Sequence, residues 1–156
     1  MGEIRLTPAQ QAVVDDRGGA LLVSAAAGSG KTKVLVDRLL AQVCDPEHPA
    51  NLDDFLMITY TKAAAAELRG KIAAELSKRL AAEPENRHLQ RQTTRIYLAQ
   101  ISTVHAFCAS ILRDYAHLLD IPADFRVAEE QEAAELRQEV FDALMEQCYA
   151  ALSEDN

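Results

Sequence analysis

The chain has 156 residues, of which 49% are hydrophobic and 26% are charged, and its formal net charge is -8. This length and balance suit one globular core, or one domain plus the start of another, and exclude a disordered or collagen-like chain. No apolar run is long enough to cross a bilayer and the first residues, MGEIRLTPAQ, lack the apolar core of a signal peptide. We therefore expect a cytoplasmic protein with no membrane association.

The first predicted elements surround a loop of small residues. Thr7 is a favourable N-cap and Pro8 a favourable first residue for a helix that runs to about Asp16. The apolar run 20–24 follows a glycine pair, which predicts a short, buried strand of a parallel sheet. Residues 31–43 then carry apolar side chains at helical spacing. The loop between this strand and this helix is therefore the first candidate site.

The same order of strand, loop and helix returns twice. The remaining predicted elements are a buried strand over 55–60, a helix over 62–82 capped by Thr61, a helix near 87–97, a weaker strand over 99–102 and a helix over 103–119. Such alternation predicts an α/β fold with a parallel sheet flanked by helices. Ligands of such sheets bind at the carboxyl ends of the strands.

The character of the chain changes after Pro122. Residues 123–156 contain ten acidic residues and two arginines, so they hold the whole negative excess, whereas residues 1–122 are neutral. A single long helix over 127–151 is predicted, with an apolar face. We expect 1–122 to form one domain and 123–156 to begin a helical subdomain. Within the neutral part, 62–95 has eight basic and four acidic residues, a balance that suits contact with phosphates or a solvated helix face.

The loop SAAAGSGKT, residues 24–32, resembles a phosphate-binding loop that opens a helix. Gly28 and Gly30 permit close approach of backbone N–H groups to phosphate oxygens, and the helix start adds partial positive charge. Lys31 would neutralise the β- and γ-phosphates, and the Thr32 hydroxyl would hold magnesium. The strict pattern has glycine where this chain has Ala25. The predicted ATP-binding residues of the loop are Ser24, Ala25, Ala26, Ala27, Gly28, Ser29, Gly30, Lys31 and Thr32.

Three motifs in chain order resemble the superfamily 1A DNA helicases of the UvrD/Rep/RecB type. They are LTPAQQAVV (6–14), MITYTKAAAAEL (57–68) and ISTVHAFCASILR (101–113). The resemblance implies a RecA-like P-loop NTPase sheet, incomplete in this chain, with alanine as a usual first loop residue. It also implies that Gln10 reads the adenine edge. Further implied contacts with single-stranded DNA come from Thr61, Lys62, Ala64, Thr103, His105 and Phe107.

Within that superfamily, the loop, the third motif and the following LLDIPADFRV are most similar to helicase/nuclease subunits of the AddA type. The similarity implies ATP and magnesium as cofactors, DNA ends (single- and double-stranded) as substrate, and a heterodimer with an AddB-like second subunit. It implies unwinding and resection in double-strand-break repair, with exonuclease activity in the full-length protein.

An Asp-Glu pair after an apolar run is needed by this family to bind magnesium and activate water. The chain has none, because Asp53-Asp54 precedes a strand and Glu129-Glu130 begins a helix. We therefore interpret the chain as an N-terminal piece of a longer protein that binds ATP weakly and is inactive alone. The alternatives are a small, self-sufficient P-loop kinase and a non-enzymatic module whose acidic helix docks a partner. The three cysteines and four histidines show no metal-ligand spacing, so we expect no structural metal.

Overall fold

The computed structural model describes residues 5–26, 28–122 and 124–154. The chain folds into two compact units, of which the first ends at Ser110 and the second begins at Ile111. The predicted domain boundary after 122 concerns the organisation of a larger protein and stays a prediction. Among the described residues, no helix is both long and apolar enough to cross a membrane.

Helices α1 (Pro8–Asp15) and α2 (Lys31–Val43) confirm the first two predicted helices. Thr7 caps α1 in a capping box, because its hydroxyl accepts from the Gln10 N–H while the Gln10 side chain accepts from the Thr7 N–H. Gly30 is the N-cap of α2 and has a left-handed backbone (φ 82°). The two helices pack against each other.

Two short strands form the sheet within the described residues. Strand β1 (Leu56–Thr59) pairs in parallel with β2 (Gln100–Thr103), and Thr59 lies opposite Thr103. The predicted strand over 20–24 is wrong for this structure: no residue of 21–24 is in a strand. Strands exist by pairing, and neither β1 nor β2 pairs with this segment. Leu22 is consequently 93% exposed.

The main core lies under one face of the sheet. Helix α3 (Lys62–Ala82) packs on both strands, and α4 (Arg87–Arg95) packs on α3. The fully buried apolar residues of this core include Leu40, Leu52, Ile72 and Leu76. The expectation that 55–60 is buried on both faces is wrong, because helices of the first unit cover β1 only on the side of Met57 and leave Leu56 and Ile58 exposed.

A 3-10 turn, Leu52–Asp54, precedes β1 and was not predicted. The fully buried side chain of Gln92 holds it, because its Oε1 accepts from the Leu52 N–H at 2.9 Å and its Nε2 donates to Asn51 Oδ1 at 2.9 Å. Arg95 also pairs with Asp53 at 2.8 Å. The turn that leads into β1 is therefore anchored on α4.

The predicted helix over 103–119 ends earlier than expected. Helix α5 runs over Val104–Asp114, because Tyr115 leaves helical backbone angles (φ -111°, ψ 16°), and a 3-10 turn over Ala116–Leu118 follows. In the second unit, α6 (Glu130–Glu154) confirms the long acidic helix. It begins three residues later than predicted because the Glu132 carboxylate accepts from the Glu129 N–H and from Arg126.

Candidate nucleotide site and strand-exit edge

The phosphate loop has the glycine conformations that its sequence predicts. Gly28 and Gly30 both have positive φ, 77° and 82°, and a Cβ at Gly28 would meet no atom within 4 Å. The need for glycine at Gly28 therefore comes from the backbone angles and not from crowding. Ala27, which we also predicted to bind ATP, lies outside the described residues.

The Lys31 ammonium group is bound to the loop itself. Its Nζ donates to the carbonyl oxygens of Ala25 at 2.6 Å and Ala26 at 2.7 Å. The side chain is exposed, and the N–H groups of Lys31 and Thr32 have no acceptor among the described residues. The first turn of α2 therefore presents free donors beside a cation, an arrangement that favours an anionic ligand.

Gln10 lies against the same loop. Its Nε2 donates to the Ser29 carbonyl oxygen at 3.1 Å, while its Oε1 accepts from the Thr7 N–H at 2.9 Å. The side chain predicted to read adenine thus already joins α1 to the phosphate loop. An adenine would meet an amide that is held in place at both ends.

A cleft of about 260 Å³ brings Gln10 and the loop together. Gln10, Ser24, Ala25, Ser29 and Lys31 line it, with apolar walls that include Val13 and Val34. Thr32 lines an adjoining cleft of about 450 Å³, which Lys31 also borders. The first cleft therefore joins the predicted adenine side to the lysine, and the predicted magnesium ligand faces its neighbour.

Two arginines stabilise the end of α1. Arg38 Nη1 donates to the Val13 carbonyl oxygen at 2.5 Å, and Arg17 Nη1 donates to that of Val14 at 2.6 Å. The last carbonyl groups of a helix lack partners within it, so these guanidinium groups satisfy them. Because Arg38 belongs to α2, it fixes α1, and with it Gln10, relative to the phosphate loop.

The exits of β1 and β2 lie side by side. We call residues 59–64 and 102–107 the strand-exit edge. The strands are parallel and in register, so both chains leave the sheet at the same edge. The Thr59 hydroxyl donates to the Thr61 carbonyl oxygen at 3.0 Å and lies 3.5 Å from that of Ser102. Residues more than forty positions apart in sequence thus meet there.

At the first exit, Thr61 is the exposed N-cap of α3, and its hydroxyl oxygen accepts from the Ala64 N–H at 3.0 Å. The Lys62 side chain is exposed. The N–H groups of Lys62 and Ala63 have no acceptor in the part of the chain that the structure describes. This helix start can therefore donate two backbone hydrogen bonds to an anion.

At the second exit, the three predicted residues differ in exposure. Thr103 is 9% exposed, and its hydroxyl oxygen accepts from the Ala106 N–H at 3.2 Å. His105 is exposed and Phe107 is half-buried. His105 is thus the predicted side chain of this exit that is most available to a ligand.

Carboxylates do not form a metal centre within the described ranges, where no group of three or more His, Cys, Asp or Glu side chains is placed to bind an ion. Asp53 pairs with Arg95, and Asp54 Oδ2 accepts from the Asn51 N–H at 3.0 Å. On α3, the hydrogen bond from Lys71 lowers the pKa of Glu67. These acidic groups therefore have structural partners.

The comparison with protein families decides the identity of the fold. A family described as the UvrD/REP helicase N-terminal domain matches residues 6–155. The chain belongs to this family. The phosphate loop and both strand exits described above lie within the matched part of this UvrD/REP helicase N-terminal domain.

Individual relatives of this helicase domain share one name, the A subunit of the ATP-dependent helicase/nuclease. The chain is 45% identical over 155 residues to the protein of that name from Lachnoclostridium phytofermentans, covering 99% of this chain and 11% of that protein. It is 47% identical over 152 residues to the one from Desulfitobacterium hafniense (strain DSM 10664 / DCB-2), covering 96% and 11%. The chain thus spans about a tenth of the length of these relatives.

Sequence reasoning missed three side chains of this helicase domain. Tyr60 directly precedes Thr61 and is fully exposed, although we expected it in a buried strand. Its place one residue beyond β1 is the signal that could have identified it. Arg38 and Arg69 bind backbone carbonyl groups of other elements. No sequence pattern distinguishes these arginines from solvated ones.

Proposed function

We propose that this chain is the N-terminal ATP-binding part of an ATP-dependent DNA helicase/nuclease subunit of the AddA type. The observation that carries the proposal is the cleft that joins Gln10, the phosphate loop and Lys31 in a UvrD/REP helicase N-terminal domain. Names of the relatives support this choice among the helicases. A self-sufficient kinase gains no support from them.

On the nucleotide side, Lys31 would exchange its two loop carbonyl partners for the β- and γ-phosphates of ATP. The free N–H groups of α2 would bind the same phosphate oxygens, and Gln10 would contact the adenine. The exposed Thr32 hydroxyl fits one position in the coordination shell of magnesium. Phosphate oxygens and water would supply the other ligands that the described residues do not.

On the DNA side, the strand-exit edge would bind a single strand. The free N–H groups of Lys62 and Ala63, with the Lys62 ammonium, suit backbone phosphates. The exposed rings of Tyr60 and His105 suit stacking on bases. Thr61 and Thr103 would act mainly by capping α3 and α5, because their hydroxyl oxygens already accept helix N–H groups.

The full-length protein would unwind and resect DNA ends during double-strand-break repair, in the cytoplasm, together with an AddB-like partner. Hydrolysis would need an Asp-Glu pair and arginines from other parts of that protein. The 156-residue chain by itself would therefore bind ATP weakly, without turning it over. Steady, DNA-stimulated ATP hydrolysis by the isolated chain would contradict this part of the proposal.

The test of the nucleotide site compares two neighbouring lysines in the full-length protein. Lys31→Ala should weaken ATP binding about 100-fold or more, because a cation bound to phosphate is lost in a site built around it. Lys33→Ala removes a lysine that pairs with Asp37 at 2.8 Å and should leave the affinity within about twofold. Titration with a fluorescent ATP analogue measures both, and equal affinities for the two variants would refute the site.

The same protein tests the DNA edge. His105→Ala should weaken binding of a fluorescent oligothymidylate about tenfold, because stacking on one base contributes about 1–3 kcal/mol. His117→Ala, a histidine of the second unit, is the matched control and should change little. Unaltered DNA affinity of the His105 variant would refute the assignment of this edge while leaving the nucleotide site intact.

A further inference from the structure

We propose that Arg69 is a positioning residue that holds the second exit of the strand-exit edge in its place relative to the first. The inference rests on the proposed function, because it concerns how that edge binds a single strand. Neither the motifs nor the relatives assign a role to this arginine, which lies on α3 beyond the TKAAAAEL stretch.

The side chain of Arg69 spans three consecutive pieces of structure. Its Nη1 donates to the carbonyl oxygen of Ile96, the C-cap of α4. Its Nη2 lies 3.3 Å from the carbonyl oxygen of Ala99 and 3.3 Å from that of Ile101. One guanidinium group thus joins α3 to the end of α4, to the link between α4 and β2, and to β2 itself.

A guanidinium group suits this task better than any other side chain. It offers five N–H donors in a fixed plane, so it can bind several carbonyl groups at once. Carbonyl groups at a helix C-terminus carry partial negative charge, which favours a cation there. Arg69 makes no ion pair in the described chain, so its charge faces backbone dipoles alone.

The contacts of Arg69 reach the strand-exit edge through β2. Ile101 pairs with Met57 of β1, and only Ser102 separates it from Thr103, where β2 ends. His105 follows in the first turn of α5. Since a strand rises about 3.3 Å per residue, the carbonyl group that Arg69 binds lies about 7 Å from that end.

The other end of α3 carries the first exit. The helix begins at Lys62, so Arg69 lies two turns into the element that presents the free N–H groups of Lys62 and Ala63. The arginine therefore ties the helix of one exit to the strand of the other. A strand of DNA that contacts both exits needs their spacing to be constant.

Arg79 provides a matched control on the same helix. Its Nη1 donates to the Leu40 carbonyl oxygen of α2 at 3.3 Å, and its Nε lies 3.9 Å from a Glu75 carboxylate oxygen. Like Arg69, it is half-buried and binds backbone across an element boundary. It contacts no residue of β2, so a general loss of stability would affect both variants, whereas a loss of positioning would affect one.

The experiment is a double-mutant cycle in the full-length protein, with affinities for a fluorescent oligothymidylate and a fluorescent ATP analogue. Arg69→Met should weaken DNA binding about tenfold and ATP binding less than about twofold. On a His105→Ala background the same change should weaken DNA binding less than about twofold, because the group that it positions is absent. Arg79→Met should alter neither affinity by more than about twofold.

Arg69→Lys gives a second measurement if the methionine variant does not fold. Lysine keeps the charge but lacks the planar fork, so DNA binding should weaken by an intermediate factor of about three. Equal losses of ATP and DNA affinity, unaltered DNA affinity, or additive effects with His105→Ala would each overturn the positioning role. If His105→Ala alone leaves DNA binding unaltered, the proposed DNA edge fails first, which separates the two failures.

Discussion

The phosphate-loop region and the strand-exit edge belong to one compact unit, but different interactions stabilise them. We define the phosphate-loop region as α1, residues 16–30 and the first turn of α2 (31–34). Its buried apolar residues are Val14 and Val34, neither of which belongs to the main core cluster. The strand-exit edge lies on α3, whose Ile72 and Leu76 are fully buried in that cluster.

Side-chain hydrogen bonds to backbone replace the missing core in the phosphate-loop region. Lys31 and Gln10 bind loop carbonyl groups, and Arg38 binds the end of α1. Such bonds contribute little net free energy each, so the loop can rearrange at low cost when a ligand offers better partners. The strand-exit edge needs a constant shape instead, and its buried core provides one.

The largest effect that separates the two regions is expected from the core. Ile72→Ala should lower the free energy of unfolding by about 2–5 kcal/mol, because it leaves a cavity where the side chain is fully buried. Urea unfolding of the 156-residue chain, followed by circular dichroism, measures the loss.

Val34→Ala is the corresponding change in the phosphate-loop region. Val34 is 5% exposed but lines both clefts beside the loop, so solvent and neighbouring side chains can fill the space. We expect a loss of about 1 kcal/mol. A loss as large as that of Ile72→Ala would show that the phosphate-loop region has a core of its own.

A backbone test gives the next largest effect. Gly30→Ala should destabilise the chain by about 1–2 kcal/mol, because alanine is strained at φ 82°. Its Cβ would lie 3.6 Å from Gln10 Nε2, an ordinary contact, so strain and not collision is the cause. ATP binding should weaken as well.

Gly70→Ala is a control with the opposite sign. Gly70 lies in the interior of α3, and a Cβ there would meet no atom within 4 Å. Alanine should therefore stabilise the helix by up to about 1 kcal/mol. Thermal unfolding of both variants measures the pair, and a shift of the same sign in both would contradict the strain at Gly30.

The helices could be predicted from the sequence because their signals are local. Caps such as Thr7 and Thr61, glycine at the end of the phosphate loop and apolar periodicity predicted α1, α2 and α3 almost to the residue. The strand over 20–24 failed for the opposite reason: a strand depends on a neighbour, and apolar composition does not say whether a neighbour is present.

The candidate sites were predictable in their chemistry but not in their support. Lys31, Gln10 and His105 came from motifs, and the structure brings the first two to one cleft and places the third on an exposed edge. The carbonyl partners of Arg69 are 27 to 32 positions away in sequence. A bond to a distant backbone group has no residue-type signature, so only the fold reveals it.

The smallest expected effect concerns acid. Within the described residues of the first unit, the carboxyl groups with a lowered pKa are Asp45 and Glu67, both outside the phosphate-loop region. Hydrogen bonds from the His48 and Glu47 N–H groups lower the pKa of Asp45. A pKa that is lower in the folded than in the unfolded chain stabilises the fold above the unfolded value, about 3.9, and this stabilisation disappears as the pH falls through the folded value.

Asp45→Asn tests this sign with an isosteric change. The variant should be slightly less stable than the native chain at pH 7, and the difference should shrink as the pH falls below about 4, where the native carboxylate also becomes neutral. Glu85→Gln is the control, because that carboxylate makes no hydrogen bond to the described residues. Urea midpoints at a series of pH values measure both. A difference between Asp45→Asn and the native chain that stays constant with pH would mean that the asparagine acts through its shape, and that the charge on Asp45 does not stabilise the turn after α2.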